Sequence, residues 1–106
     1  MKVLVNGANG FVGRVLCPYL MRRGHAVIPV VRRASGVAGE CIVSNEFPVE
    51  RALNNCDVVV HLIGRAHVMK DSELNPHKAY RSSNVDPALG LAKCAVEAGV
   101  RRFILL

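Results

Sequence analysis

The chain has 106 residues, 51% hydrophobic and 21% charged, which indicates one soluble globular domain and excludes a disordered chain. Its apolar runs are shorter than the roughly 18 residues that a membrane span needs, and its apolar start is too short for a signal peptide. We therefore predict a cytoplasmic protein without a membrane partner. The cysteines form no C-x-x-C pair, which predicts reduced thiols and no metal site; they are Cys17, Cys41, Cys56 and Cys94.

The net charge of +6 is concentrated in the first third of the chain. Residues 1–39 contain basic residues and no acidic one, whereas basic and acidic residues balance in 40–106. Nucleic acid is one partner that such a field could attract. However, no Lys/Arg run exceeds two residues and no aromatic residues interleave with the basic ones. We therefore predict no nucleic-acid partner and a small polyanion bound near the N-terminal third.

The hydrophobic pattern predicts strands and helices that alternate along the chain. Apolar strands that alternate with helices are typical of an α/β fold with a doubly wound parallel sheet, a Rossmann-type architecture. Residues 1–106 are predicted to form this single domain. The predicted elements are a strand at 3–5, a helix at 11–23 capped by Gly24, strands at 26–31 and 41–43, a short helix at 48–53, a strand at 57–64, a helix from Asn75–Pro76 to Gly99, and a strand at 102–106.

Three prolines conflict with these elements, and one of them, Pro87, interrupts the last predicted helix. Pro18 falls inside the first predicted helix and Pro29 inside the second predicted strand. Proline removes a backbone hydrogen bond in either place. We therefore predict a kink near residue 18 and a bulge near residue 29.

Three glycines, Gly7, Gly10 and Gly13, directly follow the first strand and open the first helix. In dinucleotide-binding folds, one such glycine makes the tight turn, one lets the backbone approach the pyrophosphate, and one lets the helix pack closely on the strand. The pyrophosphate lies at the N-terminus of the helix. This strand–turn–helix context predicts a dinucleotide site; the alternative is a structural turn without a ligand.

The end of the second strand bears on which dinucleotide is bound. NAD-binding proteins place a carboxylate there, about 20 residues after the glycines, for the ribose 2′-hydroxyl. This chain has Arg32 and Arg33 there, and no carboxylate before Glu40. Because arginine suits a phosphate, we predict NAD(P) as cofactor, with NADP favoured over NAD. The alternative is that both arginines form a solvated basic turn.

Three stretches of the chain resemble the extended short-chain dehydrogenase/reductase family, the NAD-dependent epimerases and dehydratases that include the nucleotide-sugar epimerases. The first is the cofactor loop NGANGFVG. The second, DVVVHLIGRAHVMKD, is similar to the family's fourth strand and following loop. The third, YRSSNVDPALGLAKCAVEAGVRRFILL, is similar to the next helix and fifth strand. Together they extend over essentially the whole chain.

The resemblance implies roles for individual residues. The loop between the first strand and the first helix, residues 7–10, which we call the glycine loop, would contact the pyrophosphate together with the start of the helix. A residue after the third strand would lie beside the adenine, and the end of the fourth strand would pass along the cofactor ribose. Asn84 matches a helix asparagine near the active site, with a structural role at Pro87 as the alternative. The implied cofactor-binding residues are Gly7, Asn9, Gly10, Phe11, Val12 and Gly13 for the pyrophosphate, Asn45 for the adenine, and Leu62, Ile63 and Gly64 for the ribose.

The family's chemistry also needs a Tyr-x-x-x-Lys pair and a Ser or Thr, beyond the fifth strand. Tyr19 and Tyr80 are followed four residues later by Arg23 and Asn84, so neither matches. The histidines offer no substitute site, and His61, in an apolar strand, is predicted to be a core histidine with its hydrogen bonds satisfied. No catalytic residue is therefore predicted in this chain, and the sheet is expected to be incomplete at its C-terminus.

These features predict the cofactor-binding N-terminal portion of an NAD(P)-dependent nucleotide-sugar epimerase, dehydratase or reductase. The whole protein would exchange a hydride between nicotinamide and a carbon of a nucleotide-sugar substrate, and this chain alone would be inactive. Self-association, for example as a homodimer, is expected through the exposed edge at Phe103–Leu106. The alternative is a non-catalytic NAD(P)-binding sensor or regulatory protein of the same fold.

Overall fold

A computed structural model describes residues 1–44, 46–62 and 86–106, with the side chains of residues 86 and 87 excepted. In this part of the chain the five strands form one parallel sheet in the order β3-β2-β1-β4-β5. The order reverses between β1 and β4, as in doubly wound α/β folds, so the predicted fold class is confirmed. The elements are β1 (Lys2–Asn6), α1 (Phe11–Arg22), β2 (Ala26–Val31), β3 (Cys41–Ile42), α2 (Val49–Ala52), β4 (Val58–His61), α3 (Asp86–Glu97) and β5 (Arg102–Leu105).

The helices α1 and α3 end in the same way. Gly24 adopts a φ of +86° and donates its N–H to the Met21 carbonyl at 3.1 Å, while His25 donates to the Leu20 carbonyl at 3.2 Å. These two bonds form a Schellman motif, whose left-handed position favours glycine. The same motif closes α3 around Gly99, at φ +79°. Both glycines predicted to end helices are confirmed.

The sheet separates two apolar cores. Because successive side chains of a strand point to opposite faces, a strand covered on both faces must be apolar throughout. One core packs under α2 and α3 and comprises Leu4, Val30, Ala52, Leu53, Cys56, Val59, Leu91 and Ala95. The other packs under α1 and comprises Val3, Val5, Ala8, Cys17, Val31, Val58 and Val60.

The predicted bulge at Pro29 is wrong, because β1 and β2 pair one residue against one without interruption. Ala26 donates its N–H to the Met1 carbonyl, and the Val30 carbonyl accepts from Gly7. The backbone N–H and C=O groups of the even-numbered residues of β2 therefore point toward β1. Pro29 faces the other neighbour, β3, whose pairing begins only opposite Val30. Its missing N–H therefore costs no ladder bond. The helix α1 continues through Pro18, and the kink near this residue stays a prediction.

Candidate functional site

The turn that follows β1 is anchored to β2. Gly7 adopts a φ of +90°, a region that disfavours residues with a Cβ. The N–H groups of Gly7 and Ala8 both donate to the Val30 carbonyl, at 3.0 and 3.1 Å, and Gly10 donates to the Gly7 carbonyl at 3.1 Å. The chain thus reverses within a few residues at the carboxyl end of the sheet.

Gly13 lets α1 lie directly against this turn. A Cβ at this position would stand 2.6 Å from both the Cα and the carbonyl oxygen of Ala8, well inside van der Waals contact. At Gly10 a Cβ would stand 3.3 Å from the Gly7 carbonyl oxygen. The roles predicted for Gly7 in the turn and for Gly13 in close packing therefore agree with the geometry.

The N-terminus of α1 has open hydrogen-bond donors. The first bond of the helix runs from the Arg14 N–H to the Gly10 carbonyl at 3.0 Å, so the N–H groups of Phe11, Val12 and Gly13 precede it. Within the described residues no side chain caps this end, and the first turn contains no acidic residue. The partial positive charge of a helix N-terminus therefore faces outward, where an anion is favoured.

The glycine loop and the two predicted arginines surround one cavity. The cavity has a volume of about 240 Å³ and is lined by Gly7 and Asn9 of the glycine loop and by Val31, Arg32 and Arg33 at the end of β2. Both arginine side chains are exposed. Residues predicted separately from the glycine spacing and from the end of β2 are thus brought together.

A second cavity, of about 550 Å³, lies beside the first and shares Arg32 with it. Its lining comes from the carboxyl end of β1, the residues after β3, and helices α2 and α3. In open parallel sheets this crevice, at the point where the strand order reverses, is where ligands bind. The lining residues are Asn6, Arg32, Val43, Ser44, Pro48, Val49, Glu50, Gly90, Leu91 and Cys94.

Of the remaining predicted site residues, the structure describes one, Leu62, and leaves four undescribed. Leu62 continues from β4 and donates its N–H to the Asn6 carbonyl at 2.9 Å, which puts it at the reversal of strand order. Asn45, Ile63, Gly64 and Asn84 lie outside the described residues.

His61 pairs with Asn6 at the carboxyl ends of β4 and β1. Asn6 Nδ2 lies 3.3 Å from His61 Nδ1; because the amide nitrogen can only donate, the ring proton belongs on Nε2. That nitrogen is buried and has no hydrogen-bond partner among the described residues. The ring stacks on Phe103, with 6.2 Å between centroids. The histidine predicted to be a satisfied core residue is therefore buried, and among the described residues only one of its two ring nitrogens has a hydrogen-bond partner.

Burial lowers the pKa of His61, and the charge of Arg32 lowers it further. Below about pH 6.5, the ordinary histidine pKa, the unfolded chain binds a proton that the folded chain does not. We therefore expect the free energy of unfolding to fall as the pH drops below about 6.5, with a slope of up to about 1.4 kcal/mol per pH unit from this group.

Urea denaturation between pH 5 and 8 measures this slope. His61→Phe should flatten it, whereas His25→Gln, at a half-buried histidine outside the site, should leave it unchanged. Equal slopes for wild type and His61→Phe would contradict the assignment.

The described residues show no features of a metal or membrane site. They contain no group of three or more His, Cys, Asp or Glu side chains arranged to hold a metal ion. No described helix is long and apolar enough to cross a membrane. All four cysteines are free thiols, and Cys17 and Cys56 are buried.

A parallel sheet of this order, with a glycine turn and an uncapped helix at the reversal point, defines a Rossmann-type α/β domain. Residues 3–106 match the model of the NAD dependent epimerase/dehydratase family. The chain belongs to this family.

Individual relatives agree with this assignment. UDP-glucose 4-epimerase of Vibrio cholerae is 38% identical over 113 residues, covering 99% of the chain and 34% of the relative. dTDP-4-dehydrorhamnose reductase of Mycolicibacterium smegmatis is 32% identical over 100 residues, covering 93% and 28%. The structure of MoeE5 in complex with UDP-glucuronic acid and NAD superposes with a TM-score of 0.81 at 30% identity, covering 99% and 36%. The chain thus spans about a third of the length of each of these proteins.

Proposed function

We propose that this chain is the N-terminal, cofactor-binding portion of a nucleotide-sugar epimerase, dehydratase or reductase. The observation that carries the proposal is the uncapped N-terminus of α1, framed by Gly7 and Gly13 and adjoining the 240 Å³ cavity. Relatives that are named for UDP- and dTDP-sugars, and the UDP-sugar and NAD bound to MoeE5, support the class of substrate and cofactor.

The residues present fit a dinucleotide. The N–H groups of Phe11, Val12 and Gly13 would hold the pyrophosphate, and Gly10 would leave its approach free of a side chain. The nicotinamide supplies the hydride acceptor and donor when the cofactor is bound. The catalytic side chains belong to other parts of the protein, with Asn84 in a supporting role, so the 106 residues alone bind cofactor without turning over a sugar.

The cofactor proposed is NADP in preference to NAD. Arg32 and Arg33 line the same cavity as Gly7 and Asn9 of the glycine loop. The first carboxylate after β2, that of Glu40, accepts hydrogen bonds from Ser35 and Val37 of its own loop. It is therefore engaged and not free to bind a ribose 2′-hydroxyl. Two guanidinium groups, with no carboxylate among the described residues that line this cavity, favour a 2′-phosphate.

Titration calorimetry of the full-length protein with NADP and with NAD tests both parts of the proposal. We expect tighter binding of NADP. Arg32→Met should weaken NADP binding about tenfold or more, the effect of losing a charge-assisted hydrogen bond, and NAD binding less than about twofold. Arg22→Met, an equal charge change in the last turn of α1, is the matched control and should leave both affinities unchanged.

Each outcome has a distinct meaning. A folded protein that binds neither dinucleotide would contradict the proposed function and leave the glycines with a structural role. A protein that binds NAD more tightly would retain the function but overturn the preference for NADP, making Arg32 and Arg33 a solvated turn.

A further inference from the structure

One arginine side chain links the glycine loop to the loop that follows β2. Arg14, in the first turn of α1, donates from Nε to the Asn9 carbonyl at 3.0 Å and from Nη2 to the Ser35 carbonyl at 3.4 Å. Asn9 belongs to the glycine loop and lines the cavity. Ser35 belongs to residues 32–40, the β2–β3 loop, which carries both cavity arginines.

The position of Arg14 is unfavourable for the helix itself. A cation in the first turn adds to the partial positive charge of the helix N-terminus and does not compensate it. No acidic residue stands in that turn to offset the charge. The reason for an arginine here therefore lies in its contacts with the two loops.

The β2–β3 loop needs such contacts to hold one conformation. Gly36 and Gly39 have φ angles of +81° and +72°, and a Cβ added at either would meet nothing within 4 Å. Glycines in an open loop lose much conformational freedom when the loop is ordered. Without fixed partners, the loop would sample many conformations.

Glu40 holds the loop from its other end. Its carboxylate accepts from the Ser35 N–H at 3.0 Å, the Ser35 Oγ–H at 2.8 Å and the Val37 N–H at 2.9 Å. These bonds, first of all that from the Ser35 hydroxyl, lower the pKa of Glu40. The Ser35 carbonyl thus accepts a hydrogen bond from Arg14, and the Ser35 N–H and hydroxyl donate to Glu40.

We propose that Arg14 and Glu40 are positioning residues that fix the β2–β3 loop against the glycine loop and so preset the cavity for the 2′-phosphate of NADP. This inference rests on the proposed function. Holding the loop before binding removes an ordering cost that the cofactor would otherwise meet. This ordering cost falls on the ligand that uses Arg32 and Arg33. The contacts of Arg14 and Glu40 with the β2–β3 loop, which we call the brace, therefore act on the selectivity between NADP and NAD.

The test compares the ratio of the dissociation constants for NAD and NADP in full-length variants. Arg14→Met and Glu40→Gln should each lower this ratio about fivefold or more, the size expected from the ordering of one or two loop residues. Arg14→Lys should behave like Arg14→Met, because one ammonium cannot reproduce a planar fork that reaches two carbonyls. Arg22→Met is the control for loss of charge on the same helix.

Amide hydrogen exchange in the cofactor-free protein provides an independent readout of the brace. Exchange in residues 33–40 should be faster in Arg14→Met and Glu40→Gln than in wild type and Arg22→Met. Unchanged exchange would overturn the brace whichever dinucleotide the protein binds. The proposal would also be overturned if Arg14→Lys kept the wild-type ratio of dissociation constants, since Arg14 would then act through its charge. It would be overturned as well if Arg14→Met lowered the NAD and NADP affinities equally, since Arg14 would then act on the pyrophosphate alone. Failure of the wild type to bind either dinucleotide would instead contradict the proposed function.

Discussion

Replacing Gly13 with alanine is expected to destabilise the fold by about 3 kcal/mol, as overpacking of a tight contact does, and to weaken dinucleotide binding by more than about tenfold. The new Cβ would lie 2.6 Å from the backbone of Ala8. Because the obstacle is main chain, no side-chain rotation relieves the overlap. Either α1 must move away from the sheet or the turn must shift, and both displace the N–H groups of Phe11 and Val12.

The same substitution in α3 provides a matched control. A Cβ at Gly90 would meet nothing within 4 Å, so Gly90→Ala should stabilise the protein by about 0.5–1 kcal/mol through helix propensity. Urea denaturation and calorimetric titration of both variants measure the contrast. If Gly13→Ala proved as stable as wild type and bound the dinucleotide normally, the close approach of α1 to the turn would be wrong.

Replacing Leu91 with alanine is expected to lower the free energy of unfolding by about 2–5 kcal/mol, the range for a buried leucine that leaves a cavity. Leu91 is 4% exposed and joins α3 to the core over β1 and β4. It also lines the 550 Å³ cavity, so its loss should loosen α3 at the site as well.

Leu89 gives the comparison within the same helix. Its side chain is 57% exposed, so Leu89→Ala should change stability by no more than about 0.5 kcal/mol. Thermal or urea denaturation of the two variants measures their losses of unfolding free energy relative to wild type. Equal losses at the two positions would mean that α3 does not present the Leu91 face to the sheet.

The layout of the sheet was predictable because each strand carries its own signal. A strand buried on both faces must be largely apolar along its length, and residues 3–5 and 58–60 meet that condition. Helix ends were predictable for a similar local reason, since Gly24 and Gly99 supply the left-handed conformation that a Schellman motif needs. These features depend on residues next to one another in the chain.

The failures concern long-range geometry. Pro29 was predicted to distort its strand, but its effect depends on whether its nitrogen faces β1 or β3, and only the register of the sheet determines that. Which ring nitrogens of His61 have a hydrogen-bond partner among the described residues likewise depends on what surrounds the ring. Sequence periodicity reports burial and carries no information about hydrogen-bond partners on other strands.

The same limit explains why Arg14 and Glu40 were missed in the site. Both bind in part to main-chain groups, which have no residue-specific pattern. The sequence does contain one usable signal, a basic residue in the first turn of a helix whose dipole disfavours it. Gly7, Gly13 and the two cavity arginines were found because their roles belong to a motif with fixed spacing.

The orientation of Pro29 also affects how the sheet meets other chains. Unpaired strand edges recruit other strands and promote aggregation, and proteins protect such edges with proline and with very short strands. On the β3 side both protections are present, since β3 has two residues and the proline of β2 offers no N–H toward that side. On the opposite side β5 pairs with β4 alone among the described residues and exposes Ile104 and Leu105. Among the described residues the two sides of the sheet therefore differ: the β3 side is protected against pairing with strands of other chains, whereas β5 is apolar.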